Sequence, residues 1–159
     1  MQPDDSLGMG VFMRIAEIMT KDVQSVTGDT DLLTVARHMR DLDVGVIPVV
    51  EGTRLVGVIT DRDIVIRAVA LGLDPLHTVV RDHMSPDPTT IAPTEQVSRA
   101  AEIMAREQIR RLPVVEDGTL VGILSLGDVA VDSGKDRLTG DALEQISAPA
   151  EPRTVEPDR

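Results

Sequence analysis

Apolar residues recur at two periods along this chain, and the switches between the periods mark its elements. Leu32, Val35, Ala36 and Met39 fall at helical spacing, and Val97, Ala100, Ala101 and Met104 repeat that spacing, which predicts a helix at each place. Short apolar runs follow each helix. Val46–Val50 and Leu55–Thr60 predict one β-hairpin, turned by Glu51-Gly52-Thr53-Arg54. Arg111–Val115 and Leu120–Ser125 predict a second, turned by Glu116-Asp117-Gly118-Thr119, where Asp-Gly is a strong hairpin signal. Pro48 and Pro113 lie inside the first strand of each hairpin, so an edge or a bulge is expected there. A helical turn, Ile15–Met19, and a short strand near Gln24–Thr27 precede the first helix, and closing helices are predicted over Asp61–Leu71 and Leu126–Val131. Pro93-Thr94 offers a capping start to the second long helix.

The whole pattern occurs twice, at an offset of 65 residues and without a gap. Pro48, Val49, Val50, Glu51, Leu55, Val56, Gly57 and Asp63 each meet an identical residue in the second copy, and Met19, Asp22, Ala36 and Met39 recur as Met84, Asp87, Ala101 and Met104. Each copy runs strand, helix, strand, strand, helix. The strand–helix–strand step implies a parallel pair joined by a right-handed crossover, and the hairpin adds an antiparallel strand. The predicted fold is therefore α/β (α+β), two pseudo-twofold-related units, each with a small mixed three-stranded sheet and two helices. One unit of roughly 55 residues buries little core by itself, so the two are expected to pack together and share a cleft. The expected division is a flexible extension at 1–12, the first unit at 13–72, a connector at 73–78 containing Asp74-Pro75, the second unit at 79–133 and a tail at 134–159. The tail holds a short amphipathic piece near 140–147, with Leu143 and Ile146 as docking points, before a Pro-rich charged stretch that reads as disordered.

Composition narrows the functions. Phe12 is the only aromatic residue, so stacking platforms for single-stranded nucleic acid are missing. The net charge of −11 opposes binding to duplex nucleic acid. With no cysteine there are no disulfides, thiolate metal sites or Cys nucleophiles. No apolar run approaches the roughly 18 residues of a membrane helix. The acidic opening Met1–Gly10 lacks the apolar stretch of a signal peptide, so a cytoplasmic protein is expected, with Met1 and Met13 both candidate starts. The histidines His38, His77 and His83 fall on different elements without ligand spacing, which gives no metal site. Met19, Met39, Met84 and Met104 read as core filler.

The most specific local signal ends the last strand of each unit. Gly57-Val58-Ile59-Thr60-Asp61-Arg62-Asp63 recurs as Gly122-Ile123-Leu124-Ser125-Leu126-Gly127-Asp128. Two readings stand side by side. Thr60 and Ser125 can be N-caps, with Asp63 and Asp128 favoured by the helix dipole, although a capping box ordinarily takes Glu or Gln at that third position. Alternatively, the carboxylate accepts two hydrogen bonds from a ribose diol, and the hydroxyl and helix N-terminus face a phosphate.

These residues resemble a known family. The doubled h-P-V-V-E strand, the hairpin, the Gly-x-x-Thr/Ser-x-x-Asp ending and the leading Ile15–Val23 segment resemble a tandem cystathionine-β-synthase (CBS) domain pair, or Bateman module, over roughly Ile15–Ser133. The resemblance implies a non-catalytic sensor of an adenosine-containing ligand, namely AMP, ADP, ATP or S-adenosylmethionine, bound in two clefts between the repeats. One cleft would join Thr60 and Asp63 to Pro86–Pro88 and Ile109–Pro113. The other would join Ser125 and Asp128 to Lys21–Val23 and Val44–Pro48. Asp63 and Asp128 would hold ribose, while Val23, Pro88, Val44 and Ile109 would line the adenine. Arg110 and Arg111 replace Gly45 and Val46 of the first repeat. Arg is a forked phosphate donor, so the resemblance puts phosphate preference in the Thr60/Asp63 cleft; the alternative is that both arginines face solvent or pair with Glu107 or Glu116.

The resemblance also implies a homodimer, two pairs forming a flat four-repeat disc through helix faces, and a separate effector protein whose identity the sequence does not carry. No cofactor is required, and neither nucleic acid nor membrane is an expected partner. The second reading is a constitutive stress-response or interaction protein with empty clefts. No nucleophile–base pair, carboxylate–metal cluster or phosphate-cradling glycine loop is present to support an enzyme.

Overall fold

The computed structural model describes residues 13–133. The extension at 1–12 and the amphipathic tail piece near 140–147 lie outside the described residues. The elements are α1 (Ile15–Ile18), β1 (Val26–Thr27), α2 (Leu32–Leu42), β2 (Val46–Glu51), β3 (Arg54–Thr60), α3 (Asp61–Arg67), β4 (Ser85–Pro86), α4 (Val97–Glu107), β5 (Arg111–Glu116), β6 (Thr119–Ser125) and α5 (Leu126–Ser133).

β1 pairs parallel with β2, and β2 pairs antiparallel with β3. In the second repeat Ile91 makes a parallel bridge to Val114, and β5 pairs antiparallel with β6. The two hairpins meet at their tips through Arg54 and Thr119, giving the strand order β1-β2-β3-β6-β5. Both first hairpin strands carry an irregularity, between Val49 and Val50 and between Val114 and Val115. Pro48 lies just before the first of these, where the β1 ladder has not yet begun, so its missing N–H costs no pairing on that side. The second turn takes the tight hairpin form: Asp117 and Gly118 have φ of 50° and 82°.

The repeats are interlocked rather than merely stacked. β4, which leads the second repeat, pairs with β3 of the first through Gly57–Pro86 and Val58–Ser85. Reciprocally, Thr20 bridges Ile123 of β6, with Thr20 N donating to Ile123 O at 2.9 Å and Ile123 N to Thr20 O at 3.0 Å. Helix starts are exchanged too. Leu32 N donates to Thr78 O at 2.9 Å, and Val97 N donates to Met13 O at 2.9 Å. Each pair of contacts maps onto the other at the 65-residue offset. The exchange accounts for the start of α4, which is Gln96 without a side-chain cap rather than Thr94. The carbonyls of Pro93 and Glu95 instead accept Ala16 N and Ile15 N, both at 2.9 Å. Met13 O in turn takes Val97 N, one of the donors that a helix start leaves without an intrahelical partner.

Two apolar clusters result. Ile15 is fully buried with Ile91, Val97, Met104, Leu112, Val114, Leu124 and Val129, all of the second repeat. Val80, its counterpart, is fully buried with Leu32, Val35, Ile47, Val49 and Ile59 of the first. Burying one such side chain in the opposite repeat is worth about 1.5–3 kcal/mol, which ties the halves together. Two glycines make room for the leaders. A Cβ on Gly57 would lie 2.8 Å from both Met84 Sδ and Ser85 O, and one on Gly122 would lie 2.6 Å from Met19 Sδ.

The expected single helix over Asp61–Leu71 is divided. α3 stops at Arg67, and a 3-10 turn covers Val69–Leu71 before Gly72 turns left-handed at φ 70°. Gly72 tolerates the conformation that ends the element.

Candidate ligand-binding cleft

Thr60 ends β3 in extended geometry, and its Oγ1 accepts Asp63 N at 3.0 Å while its own N donates to Asp63 Oδ2 at 3.0 Å. Ser125 and Asp128 repeat the arrangement. Ser125 N donates to Asp128 Oδ2 at 2.9 Å, and Asp128 N donates to Ser125 Oγ at 3.1 Å. Both are reciprocal capping boxes built with Asp, which corrects the expectation that Asp fits that position poorly. The extended backbone of the cap residue brings its N–H within reach of the shorter side chain. The cap engages one carboxylate oxygen, so capping and ligand recognition do not compete for all of the carboxylate's acceptor sites. Asp63 Oδ1 lies 3.7 Å from Arg67 Nε. At the position matching Arg67 the second repeat has Asp132.

The first turns differ in a second way. Asp61 N donates to Gly45 O at 3.0 Å, and a Cβ at Gly45 would stand 3.0 Å from Asp61 Oδ2. In the second repeat Leu126 N donates to Arg110 O at 2.8 Å, and Leu126 is buried. The Gly45/Arg110 difference therefore goes with an acidic first turn in one repeat and a less acidic one in the other.

Leader exchange brings each leader beside the strand that ends in the hydroxyl residue. The pairing is antiparallel, so Pro86–Pro88 runs back along β3 away from Thr60, and the chain after Thr20 leads along β6 away from Ser125. Between the second of these pairs opens a cleft of about 200 Å³. Val23, Val44, Val46 and Pro48 wall it, Thr20, Asp22 and Gln24 edge it, and Arg111 and Ile123 close it from the other repeat. Ser125 lies two residues from Ile123 on the same face of β6, and Arg111 is its direct partner across the ladder. Arg111, which the resemblance assigns to the Thr60/Asp63 cleft, thus lines the cleft of Val23, Val44 and Pro48. Its counterpart at the 65-residue offset is Val46, so the first repeat has no cation at this place.

The other expected residues fall as follows. Lys21 lines a separate depression of about 270 Å³ with Arg14, Met19, Pro93, Thr94 and Glu116, because consecutive side chains of an extended leader point to opposite sides. Arg110 is exposed and contributes its carbonyl to the start of α5. Ile109 packs against the second-repeat core, and Pro113 is buried opposite Ile123. Pro88 is half-buried, one residue after Asp87 at φ 49°. Thr20, Gln24, Leu42 and Ile123 line the cleft without having been singled out. Strand alternation from Ser125 was signal enough for Ile123; nothing local marked the others. Among the described residues no group of three or more His, Asp or Glu is placed to hold a metal ion, and no helix is long and apolar enough to cross a membrane.

Known proteins share this arrangement. The chain is 40% identical over 133 residues to the CBS domain-containing protein YhcV of Bacillus subtilis, covering 84% of this chain and 94% of that one. It superposes on the crystal structure of Hypoxic Response Protein I with two coordinated zinc ions at a TM-score of 0.69, with 32% identity over 75% of this chain and 98% of the other. The crystal structure of CBSX2 in complex with AMP matches at a TM-score of 0.66 and 28% identity, covering 74% and 93%. The CBS domain profile matches twice, at residues 15–69 and 80–131, and the chain belongs to the CBS domain family as a tandem pair, a regulatory module.

Proposed function

We propose that this CBS pair binds an adenosine-containing ligand in the cleft walled by Val23, Val44 and Pro48, and passes its occupancy to a separate effector protein while associated with a second copy. The observation that carries the reading is an apolar slot beside the exchanged leader with one cation, Arg111, on its lining, whose ladder partner Ser125 forms the capped pair with Asp128. In this reading the aliphatic walls take the adenine, Asp128 accepts from the ribose, and Arg111 meets the phosphate. The cleft is smaller than the roughly 300–1,000 Å³ usual for small-molecule sites, so the phosphate end would lie at its open rim beside Arg111. The bound AMP of CBSX2, a relative of the same fold, supports the ligand class. The net charge of −11 disfavours polyanions, which ranks AMP and ADP above ATP and leaves S-adenosylmethionine, with its sulfonium, as a competitor. No catalytic step and no cofactor enters the proposal.

A second reading has the pair acting through protein contacts with its clefts empty; the broad exposed apolar surface around α3 favours it. Isothermal titration separates the two. Arg111→Ala is expected to weaken AMP binding by about 10- to 100-fold, the worth of a hydrogen bond to a charged group, while Arg110→Ala changes little. Equal affinity for wild type and Arg111→Ala would remove Arg111 from the site, and no heat from any adenosine ligand would favour the second reading.

A further inference from the structure

The depression that Lys21 shares with Arg14 is larger than the cleft, about 270 Å³ against about 200 Å³. The matching place in the first repeat is filled by the chain itself. Ala16 N donates to Pro93 O at 2.9 Å, and at the 65-residue offset Arg81 N donates to Gly28 O at 2.9 Å, so both places share one backbone frame. The Arg81 side chain lies against Gly28, where an added Cβ would stand 3.2 Å from Nη2, and its Nη1 donates to Asp29 Oδ1 at 2.7 Å. Ala16 and Thr94 occupy the matching positions of the second repeat, so both members of that ion pair are missing and the space beside Pro93 is open. The charge balance is reversed as well. Glu51 and Glu116 correspond, but the first repeat sets one cation, Arg81, against Asp29 and Glu51, whereas the second sets two, Arg14 and Lys21, against Glu116 alone. Among the described residues neither Arg14 nor Lys21 takes part in an ion pair.

We infer that this depression is a further ligand site, on the side of the leader away from the cleft, and that it takes a small monocarboxylate with a short apolar tail. The Arg14 guanidinium offers a carboxylate a matched fork of donors, and the Lys21 ammonium adds another charge-assisted bond. Met19, Pro93 and Val121 supply an apolar floor for the tail. Glu116 limits the charge that the site accepts. A phosphate monoester carries about 1.5–2 negative charges at neutral pH and meets more of the repulsion from this carboxylate, while a carboxylate ligand brings a single charge that the two cations offset. Both cations are exposed, so water screens them and a short acid is expected to bind in the millimolar range. The inference is independent of the adenosine ligand in the cleft.

Titration of the ¹⁵N-labelled full chain with butyrate is the test, read at the amides of Ala16, Lys21, Thr94 and Val121. Saturable shifts are expected there, with Val44, Val46 and Ile47 of the cleft unmoved. Butyramide, which has the same shape without the charge, is expected to give none, and methyl phosphate is expected to bind more weakly than butyrate. Arg14→Ala is expected to weaken butyrate by about 10- to 100-fold, the worth of a hydrogen bond to a charged group. Ala16→Glu sets a carboxylate in the depression from an exposed position and is expected to abolish the shifts while the rest of the spectrum keeps its dispersion. An equal response to butyramide, butyrate shifts retained in either variant, or no saturable shift at these amides overturns the site. Tighter binding of methyl phosphate than of butyrate overturns the carboxylate assignment.

Discussion

Replacing Gly122 by alanine puts a methyl group where the exchanged leader already sits. The new Cβ would lie 2.6 Å from Met19 Sδ, 3.0 Å from Met19 Cγ and 3.1 Å from Thr20 O. At Gly57 the obstruction is partly backbone, with Met84 Sδ and Ser85 O both at 2.8 Å. Overpacking of this kind costs about 1–3 kcal/mol, against a gain of about 0.4–1 kcal/mol from stiffening the unfolded chain. Gly122→Ala is therefore expected to destabilise by about 1 kcal/mol and Gly57→Ala by about 2 kcal/mol. The difference arises because a methionine end can rotate away, whereas the Ser85 carbonyl moves only with the Gly57–Pro86 pairing. A double-mutant cycle isolates the cause. Met19→Ala should recover most of the Gly122→Ala loss, a coupling of about 1 kcal/mol. Met84→Ala should recover less at Gly57, since the carbonyl remains. The chain lacks Trp and Tyr, so urea unfolding is followed by far-UV circular dichroism, where 1 kcal/mol moves the midpoint by about 0.3–1 M. Additive behaviour at both pairs, or a neutral Gly57→Ala, would refute the leader exchange.

Two further predictions concern the caps. Thr60→Ala and Ser125→Ala should each cost about 1 kcal/mol in urea unfolding, and only Ser125→Ala should also weaken AMP in titration; equal effects of both on AMP would contradict the choice of cleft. Asp31 caps α2, its carboxylate accepting Thr34 N and Thr34 Oγ1, both at 2.8 Å, and the backbone bond first and then the hydroxyl bond hold its pKa below the ordinary 3.8. The unfolded chain then takes up its proton at higher pH than the folded one, so this contribution is whole above 3.8 and is lost as pH falls through the lower folded value. Asp31→Asn should accordingly lose less stability than wild type between about pH 5 and about pH 3, as thermal melts across that range would record. The loss would not vanish, because Arg40 beside Asp41 and His77 beside Asp74 depress those carboxyls in the same direction.

Local pattern carried much of the fold. The helical face of Val97, Ala100, Ala101 and Met104 and the two hairpins read directly, since each depends on residues close in sequence. Leader exchange was expected only through the family resemblance, because Ile15 is buried with residues 76 to 114 positions away and its own apolar turn says nothing of which core receives it. The trace it left was the pairing of Gly57 and Gly122 with Met84 and Met19, visible in the repeat but legible only as filler. The site divides along the same line. The hydroxyl–carboxylate ending stood out by recurrence, but whether Arg111 or Lys21 faces a cleft depends on strand alternation set by distant partners. Arg111 follows Ser125 across β5 and β6, and Lys21 turns to the opposite side of the leader from its neighbours. α3 read too long because Val69 and Leu71 continue an apolar pattern that serves exposure here and not the core.

The central claim is that the space between exchanged leader and second repeat receives an adenosine ligand. Amide-resolved NMR of the uniformly ¹⁵N-labelled chain during an AMP titration tests it most directly. The account predicts saturable shifts at Thr20, Asp22–Gln24, Val44–Ile47, Arg111 and Ser125–Asp128, with Thr60–Asp63 little moved. No shift at millimolar AMP, or shifts centred on Thr60 and Asp63 with the Val23–Val44 wall unchanged, would contradict it.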